Sequence, residues 1–152
     1  MTETGVVAGF DETYLEFYDP LMRTALLLVG DVGHAEDLVQ DAFARTFSKW
    51  DTIEHPKAYL TIAVTNGARN IYRGRDAAAT LLDQPAAGAP DSNRDLHDSL
   101  LRLPYRQRAV VVLRYYVGLD DPAIAQALGC TRSTVRSSAR RGLQQLRKDV
   151  QA

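Results

Sequence analysis

Residues 120–148 read DDPAIAQALGCTRSTVRSSARRGLQQLRK, and this stretch sets the fold class. Asp120 or Asp121 can accept from the free amides of a helix start, and Pro122 suits the first turn. A helix is expected over 121–128, with Ile124, Ala125 and Leu128 facing a core. Gly129 fits the left-handed position that ends it. Thr131 then caps a second helix over 131–149, whose inward stripe is Val135, Ala139, Leu143, Leu146 and Val150. Ala123 and Ala127 are small enough for the two helices to approach closely. This is a helix–turn–helix layout. Gly142 in the second helix costs about 1 kcal/mol relative to alanine, and nothing in the sequence explains it.

Ser133, Arg136, Ser137 and Arg140 follow i, i+3, i+4, i+7, so they share one side beside the apolar stripe. Six basic residues and no acidic one lie between Arg132 and Lys148. A helix of this width enters the DNA major groove, where arginine binds guanine with two parallel hydrogen bonds. Short serines let the backbone approach phosphate. The competing reading of the charge run, a solvated face, does not account for the turn and the paired apolar stripes.

Upstream of that stretch, helices are expected over 96–102 and 105–117, separated by Pro104 and ended at Gly118. Residues 76–95 (DAAATLLDQPAAGAPDSNRD) hold Pro85, Gly88 and Pro90 and few core-forming side chains, and are expected to form a flexible linker. Before it, three helices are expected. The first spans 11–29, capped by Asp11, with Tyr14, Phe17, Tyr18, Leu21, Ala25 and Leu28 at helical spacing and a bend at Pro20. The second spans 34–49, with Leu38, Val39, Ala42, Phe43, Thr46 and Phe47 on its apolar face. Asp37, Gln40, Asp41 and Arg45 lie opposite. The third spans 56–73, with Pro56 in its first turn and Thr61, Thr65, Arg69 and Tyr72 along one side. The expected fold is all-α: domains at 10–75 and 96–150, each small enough for its core to be thin, joined by a linker at 76–95.

Charge divides along the same lines. The net charge of −1 conceals 7 basic and 11 acidic residues over 1–75, one and four over 76–95, and 10 and 4 over 96–152. A basic end suits phosphate, and the acidic front suits a different partner.

Other function classes lack their residues. Cys130 is the only cysteine, so neither an internal disulfide nor a cysteine metal cluster can form. His34, His55 and His97 are scattered, and no nucleophile–base pair or phosphate loop occurs, so no enzyme, cofactor or metal is expected. His34 with Glu36, Asp37 and Asp41 raises a metal reading that no supporting motif backs. No run of about 18 apolar residues is present, so no membrane insertion is expected, and the lone cysteine fits the cytoplasm.

LPYRQRAVVVLRYYVGL followed by IAQALGCTRSTVRSSARRGLQQLR resembles region 4 of the sigma-70 family of RNA polymerase sigma factors. The shared frame includes Leu103-Pro104, Gln107-Arg108, Leu113-Arg114-Tyr115, Ile124-Ala125, Leu128-Gly129, Thr134-Val135 and Leu146-Arg147. AEDLVQDAFARTFSKW and AYLTIAVTNGARNIYRGR resemble region 2. Two such units and a linker are similar to the extracytoplasmic-function group. The family usually has Ser and Glu where Asp120 and Ala123 stand. It often has arginine at Ser138 and aspartate at Asn70.

The resemblance implies a promoter-directing factor with core polymerase (its β and β′ subunits), promoter DNA and an anti-sigma factor as partners. It implies that Asp37, Gln40, Asp41 and Arg45 dock on a β′ coiled coil. Lys57, Thr61, Thr65, Asn66, Arg69 and Arg73 would meet the minus-10 element, where a melted strand needs cationic and stacking surfaces. Asn66 and Asn70 could instead satisfy interhelical hydrogen bonds. Arg132, Ser133, Thr134, Arg136, Ser137 and Arg140 would read the minus-35 element. The linker's Asp76, Asp83, Asp91 and Asp95 would mimic nucleic acid in the polymerase cleft, or the segment is a tether. The alternative is a stand-alone helix–turn–helix regulator, which has no use for the polar stripe at Asp37–Arg45.

Overall fold

The computed structural model describes the backbone of residues 2–77 and 92–151, and the side chains of 9–73 and 95–150. Most of the expected linker, with Asp83 and Asp91, lies outside the described residues.

Seven helices are seen among them. α1 spans Thr2–Val29, α2 Val32–Ser48 and α3 Pro56–Ala77, with a short 3-10 turn at Trp50–Thr52. α4 spans Ser92–Arg102 and α5 Tyr105–Val111, which runs on as a π-helical turn over Val112–Val117. α6 spans Asp121–Leu128 and α7 Arg132–Gln151. No described helix is long and apolar enough to cross a membrane.

The helix ends follow the sequence closely in the second module. The Asp120 carboxylate accepts from the Ala123 amide at 3.0 Å, and the Thr131 hydroxyl accepts from the Thr134 amide at 3.1 Å. Gly129 takes φ +65° and Gly118 φ +89°, where a side chain would be strained. Gly118 and Leu119 both return their amides to the Leu113 carbonyl, which closes the π-helical turn. Asp31 caps α2 by accepting from the His34 amide at 2.8 Å, and the helix begins at Val32, two residues ahead of the expected start.

Three expectations are corrected. Asp11 is not a cap: α1 already runs through it, and Thr13 bonds back to the Gly9 carbonyl. Phe10 explains the extension, because its ring packs edge-on against Phe47 and Trp50 and holds the preceding turn in place. Phe47, expected inside, is 57% exposed, and Val150, expected on the inner stripe, is 71% exposed. Both sit near a helix end, where the neighbouring helices no longer cover the stripe.

Packing accounts for Gly142. A Cβ there would stand 3.0 Å from Val111 Cγ2, so the glycine lets α7 lie close on α5. The two expected thin cores are one. α1 packs on α4 and α5 as well as on α2 and α3, and α3 packs on α5 and α6. The buried set runs without a break from Leu21, Leu28 and Val39 through Leu60 and Val64 to Val110, Leu113, Ile124 and Val135. Burial removes apolar area from water at about 25 cal/mol per Å², so merging two small cores stabilises both.

Candidate nucleic-acid and polymerase interfaces

The basic side of α7 is open to solvent. Arg132, Ser133, Arg136 and Arg140 are exposed, while Thr134 and Ser137 are half-buried. Thr131 and Thr134 share a hydroxyl hydrogen bond of 2.9 Å, and the Ser137 hydroxyl donates to the Thr134 carbonyl. The three hydroxyls therefore help fix the start of α7, and Arg132, Arg136 and Arg140 are exposed along its first three turns. Ser138 is buried, so the departure from the family's arginine there bears on packing within the helix pair.

The stripe on α2 is also exposed at Asp37, Gln40, Asp41 and Arg45. Arg45 Nε lies 2.9 Å from Asp41 Oδ2, and Gln40 donates to the Tyr14 hydroxyl at 3.3 Å. An exposed pair four residues apart is worth only about 0.3–0.5 kcal/mol, so either member is free to exchange partners. Beside the stripe lies an aromatic edge that the sequence reading missed. Phe10, Phe47 and Trp50 line a cleft of about 320 Å³ at the end of α2. The signal was present in the sequence, since Phe47 stands seven residues after Gln40, on the same side of the helix. His34 pairs with Asp31 at 3.0 Å as part of the cap.

The candidate minus-10 residues divide. Lys57 and Arg73 are exposed, and Lys57 lies 5.8 Å from the Phe17 ring centre. Thr61 and Thr65 are buried, with their hydroxyls donating to the carbonyls of Lys57 and Thr61. Asn66 accepts from Arg69 Nη2 at 3.0 Å, and Arg69 Nη1 donates to the Leu128 carbonyl at 3.2 Å. Asn70 is exposed. Thr65 and Arg69 lie on the side of α3 that faces the second module, bonded to Tyr105 and to the Leu128 carbonyl.

The residue that joins the modules was seen in the sequence only as part of the family frame. Arg108 is 2% exposed. Its Nε donates to the Leu100 carbonyl, Nη1 to Leu28, and Nη2 to Leu101 and Leu103, at 2.6–2.9 Å. Its guanidinium carbon lies 4.5 Å from the Tyr72 ring centre and 5.8 Å from that of Tyr105. A buried cation is tolerated because these carbonyls lie at the C-terminal ends of α1 and α4, where the helix dipole is negative and the last acceptors lack a full set of intrahelical partners, although the Leu100 carbonyl also accepts from the Leu103 amide. Burial pushes the Tyr105 phenol well above its ordinary pKa, against the opposing pull of Arg108 and Arg69, so it stays protonated and donates to the Thr65 carbonyl at 2.9 Å.

Comparison with known proteins fits this geometry. The family described as Sigma-70 region 2 matches residues 13–78, and that described as Sigma-70, region 4 matches residues 93–146. The RNA polymerase sigma-E factor of Streptomyces coelicolor is 35% identical, covering 97% of this chain and 89% of its own. The ECF RNA polymerase sigma factor SigL of Mycobacterium tuberculosis is 31% identical, covering 91% of this chain and 86% of its own. In fold, the chain is similar to the sigma factor RpoE of Bartonella quintana in its co-crystal with the anti-sigma factor NepR. That match has a TM-score of 0.79 at 24% identity, covering 95% of this chain and 98% of that one.

Proposed function

The chain belongs to the sigma-70 family of RNA polymerase sigma factors, in its extracytoplasmic-function group, and from that premise we propose that it brings core polymerase to promoter DNA and positions it for initiation. In this reading α2 docks on a β′ coiled coil through Asp37, Gln40, Asp41 and Arg45. The acidic groups meet a basic helix, and the Phe10–Phe47–Trp50 edge offers an apolar anchor beside them. α3 meets the minus-10 element through Lys57, Thr61, Thr65, Asn66, Arg69 and Arg73. α7 enters the major groove at minus-35 through Arg132, Ser133, Thr134, Arg136, Ser137 and Arg140. Two DNA contacts on one chain raise each other's effective concentration, so each can be weak alone.

The observation that carries the reading is the pairing of an exposed basic face on α7 with an exposed polar stripe on α2 that holds Asp37 and Asp41. A stand-alone regulator would use the first and leave the second idle. The work is done in the cytoplasm, where the polymerase is, on behalf of a stress or other signal. The Bartonella quintana protein is bound by an anti-sigma factor, and a partner of that kind would hold this chain until the signal arrives.

Transcription with purified core polymerase on genomic fragments tests the proposal. Transcripts with defined starts are expected only when the chain is added. A chain that forms no complex with core and yields no transcript would falsify it.

A further inference from the structure

The polar stripe on α2 runs into the aromatic cleft at the end of the helix, and the two differ in kind. Phe47 is 57% exposed, on the side of α2 that carries Gln40. Its ring is nevertheless braced. Phe10 meets Phe43, Phe47 and Trp50 edge to face, with ring centres 6.3, 4.9 and 5.4 Å apart. Edge-to-face pairs attract beyond the area they bury, so the four rings hold one another in place. Phe10 comes from α1, Phe43 and Phe47 from α2, and Trp50 from the 3-10 turn, so three segments fix one surface.

The cleft of about 320 Å³ suits an apolar occupant. The hydroxyls of Ser48 and Thr52 on its wall donate to the carbonyls of Arg45 and Lys49 at 2.8 Å, so they are already committed. Lys49 and Asp51 line it with opposite charges, so it favours an ion of neither sign. What remains is aromatic surface held rigid at the edge of water. Interfaces concentrate their binding energy on such surfaces, because little side-chain freedom is lost when a partner fills them.

We propose that the cleft between Phe10, Phe47 and Trp50 takes one apolar side chain of the polymerase helix that docks on α2, and that this contact sets how long the complex lasts, while Asp37 and Asp41 set how fast it forms. This rests on the assignment of α2 made above. Exposed charges act through water and at a distance, so they steer the encounter. A filled apolar cleft is given up only on dissociation, so it governs the off-rate. The spacing also describes the partner. At about 1.5 Å per residue, Asp41 and Asp37 stand roughly 9 and 15 Å along α2 from Phe47. A helix lying nearly along α2 would carry its apolar residue with basic residues about seven and eleven positions away, all on one face.

The test is the kinetics of binding to immobilised core polymerase at low and at high salt. Phe47→Ala should dissociate roughly tenfold faster or more, with its on-rate within about twofold of wild type and the same loss at both salts. Asp37→Lys/Asp41→Lys should do the reverse, associating more slowly, with a loss that shrinks as salt screens it. Should Phe47→Ala lose its fold by circular dichroism, Phe47→Gln, a better helix former than phenylalanine, takes its place. Hydroxyl-radical footprinting of core bound to the chain should protect a helix with the spacing given above, and a protected helix without it overturns the register. An off-rate equal to wild type in the Phe47 variant, or a loss confined to association, overturns the role of the cleft. In that case a charge variant that still loses core binding leaves the docking of α2 standing. If neither variant changes binding, or the wild-type chain binds no core, both fall.

Discussion

At Arg108 a guanidinium is held out of water by four backbone carbonyls and two tyrosine rings. Nothing local in AVVVL, the run that follows it, marks it as buried, because its α1 acceptor is 80 residues away. Tyr105 beside it is similar: its partner, the Thr65 carbonyl, is 40 residues off. The phenol's pKa is raised by burial, with Arg108, Arg69 and Tyr72 as the charged and titratable groups around it. A raised pKa leaves stability intact below the ordinary value of about 10 and erodes it above, because only the unfolded phenol then ionises. Wild type should therefore lose up to about 1.4 kcal/mol per pH unit above pH 10 through this group. Denaturant midpoints from pH 9 to 11 should fall more steeply for wild type than for Tyr105→Phe, and parallel slopes would show that the phenol is not buried. At Gly142, by contrast, sequence showed a cost and the structure shows its cause, the close approach of Val111.

Among the elements, α6 and α7 were the most legible. Their caps at Asp120 and Thr131 and the turn at Gly129 are local signals that the structure retains. Arg136→Ala and Arg140→Ala should each weaken promoter binding by about 1–3 kcal/mol and shift minus-35 preference, as competition between duplexes that differ at single base pairs would show. Uniform weakening across all duplexes would reassign the two arginines to phosphate. On α2 the stripe predicts a different loss. Asp37→Lys with Asp41→Lys should reduce core polymerase binding at least tenfold while leaving duplex binding by α7 unchanged. Core affinity equal to wild type would favour the stand-alone regulator. α1 was less legible at its start. An acidic residue before an apolar run looks like a cap, yet the helix continues upstream because Phe10 is anchored on Phe47 and Trp50.

Over the whole molecule the buried cluster crosses from one module to the other, and this decides how the chain should unfold. Thermal unfolding of the intact chain should be a single transition. Residues 93–152 expressed alone lose the cover of α1 and the Leu28 acceptor of Arg108, and should melt at lower temperature than the same residues do in the full chain. An isolated module melting at the full chain's temperature would mean that the boundary contributes nothing. The amino-acid sequence by itself determined the helices, the caps of the second module, the two-module order and the exposed faces of α2 and α7. All of these follow from periodicity and turn chemistry within a few residues. Tertiary structure alone decided that Thr61, Thr65 and Arg69 are covered, that Arg108 and Arg69 bind helix ends across the boundary, and that two small cores merge. Contacts between residues dozens of positions apart leave no periodic trace in the chain, because each side of such a contact looks locally like an ordinary helix face.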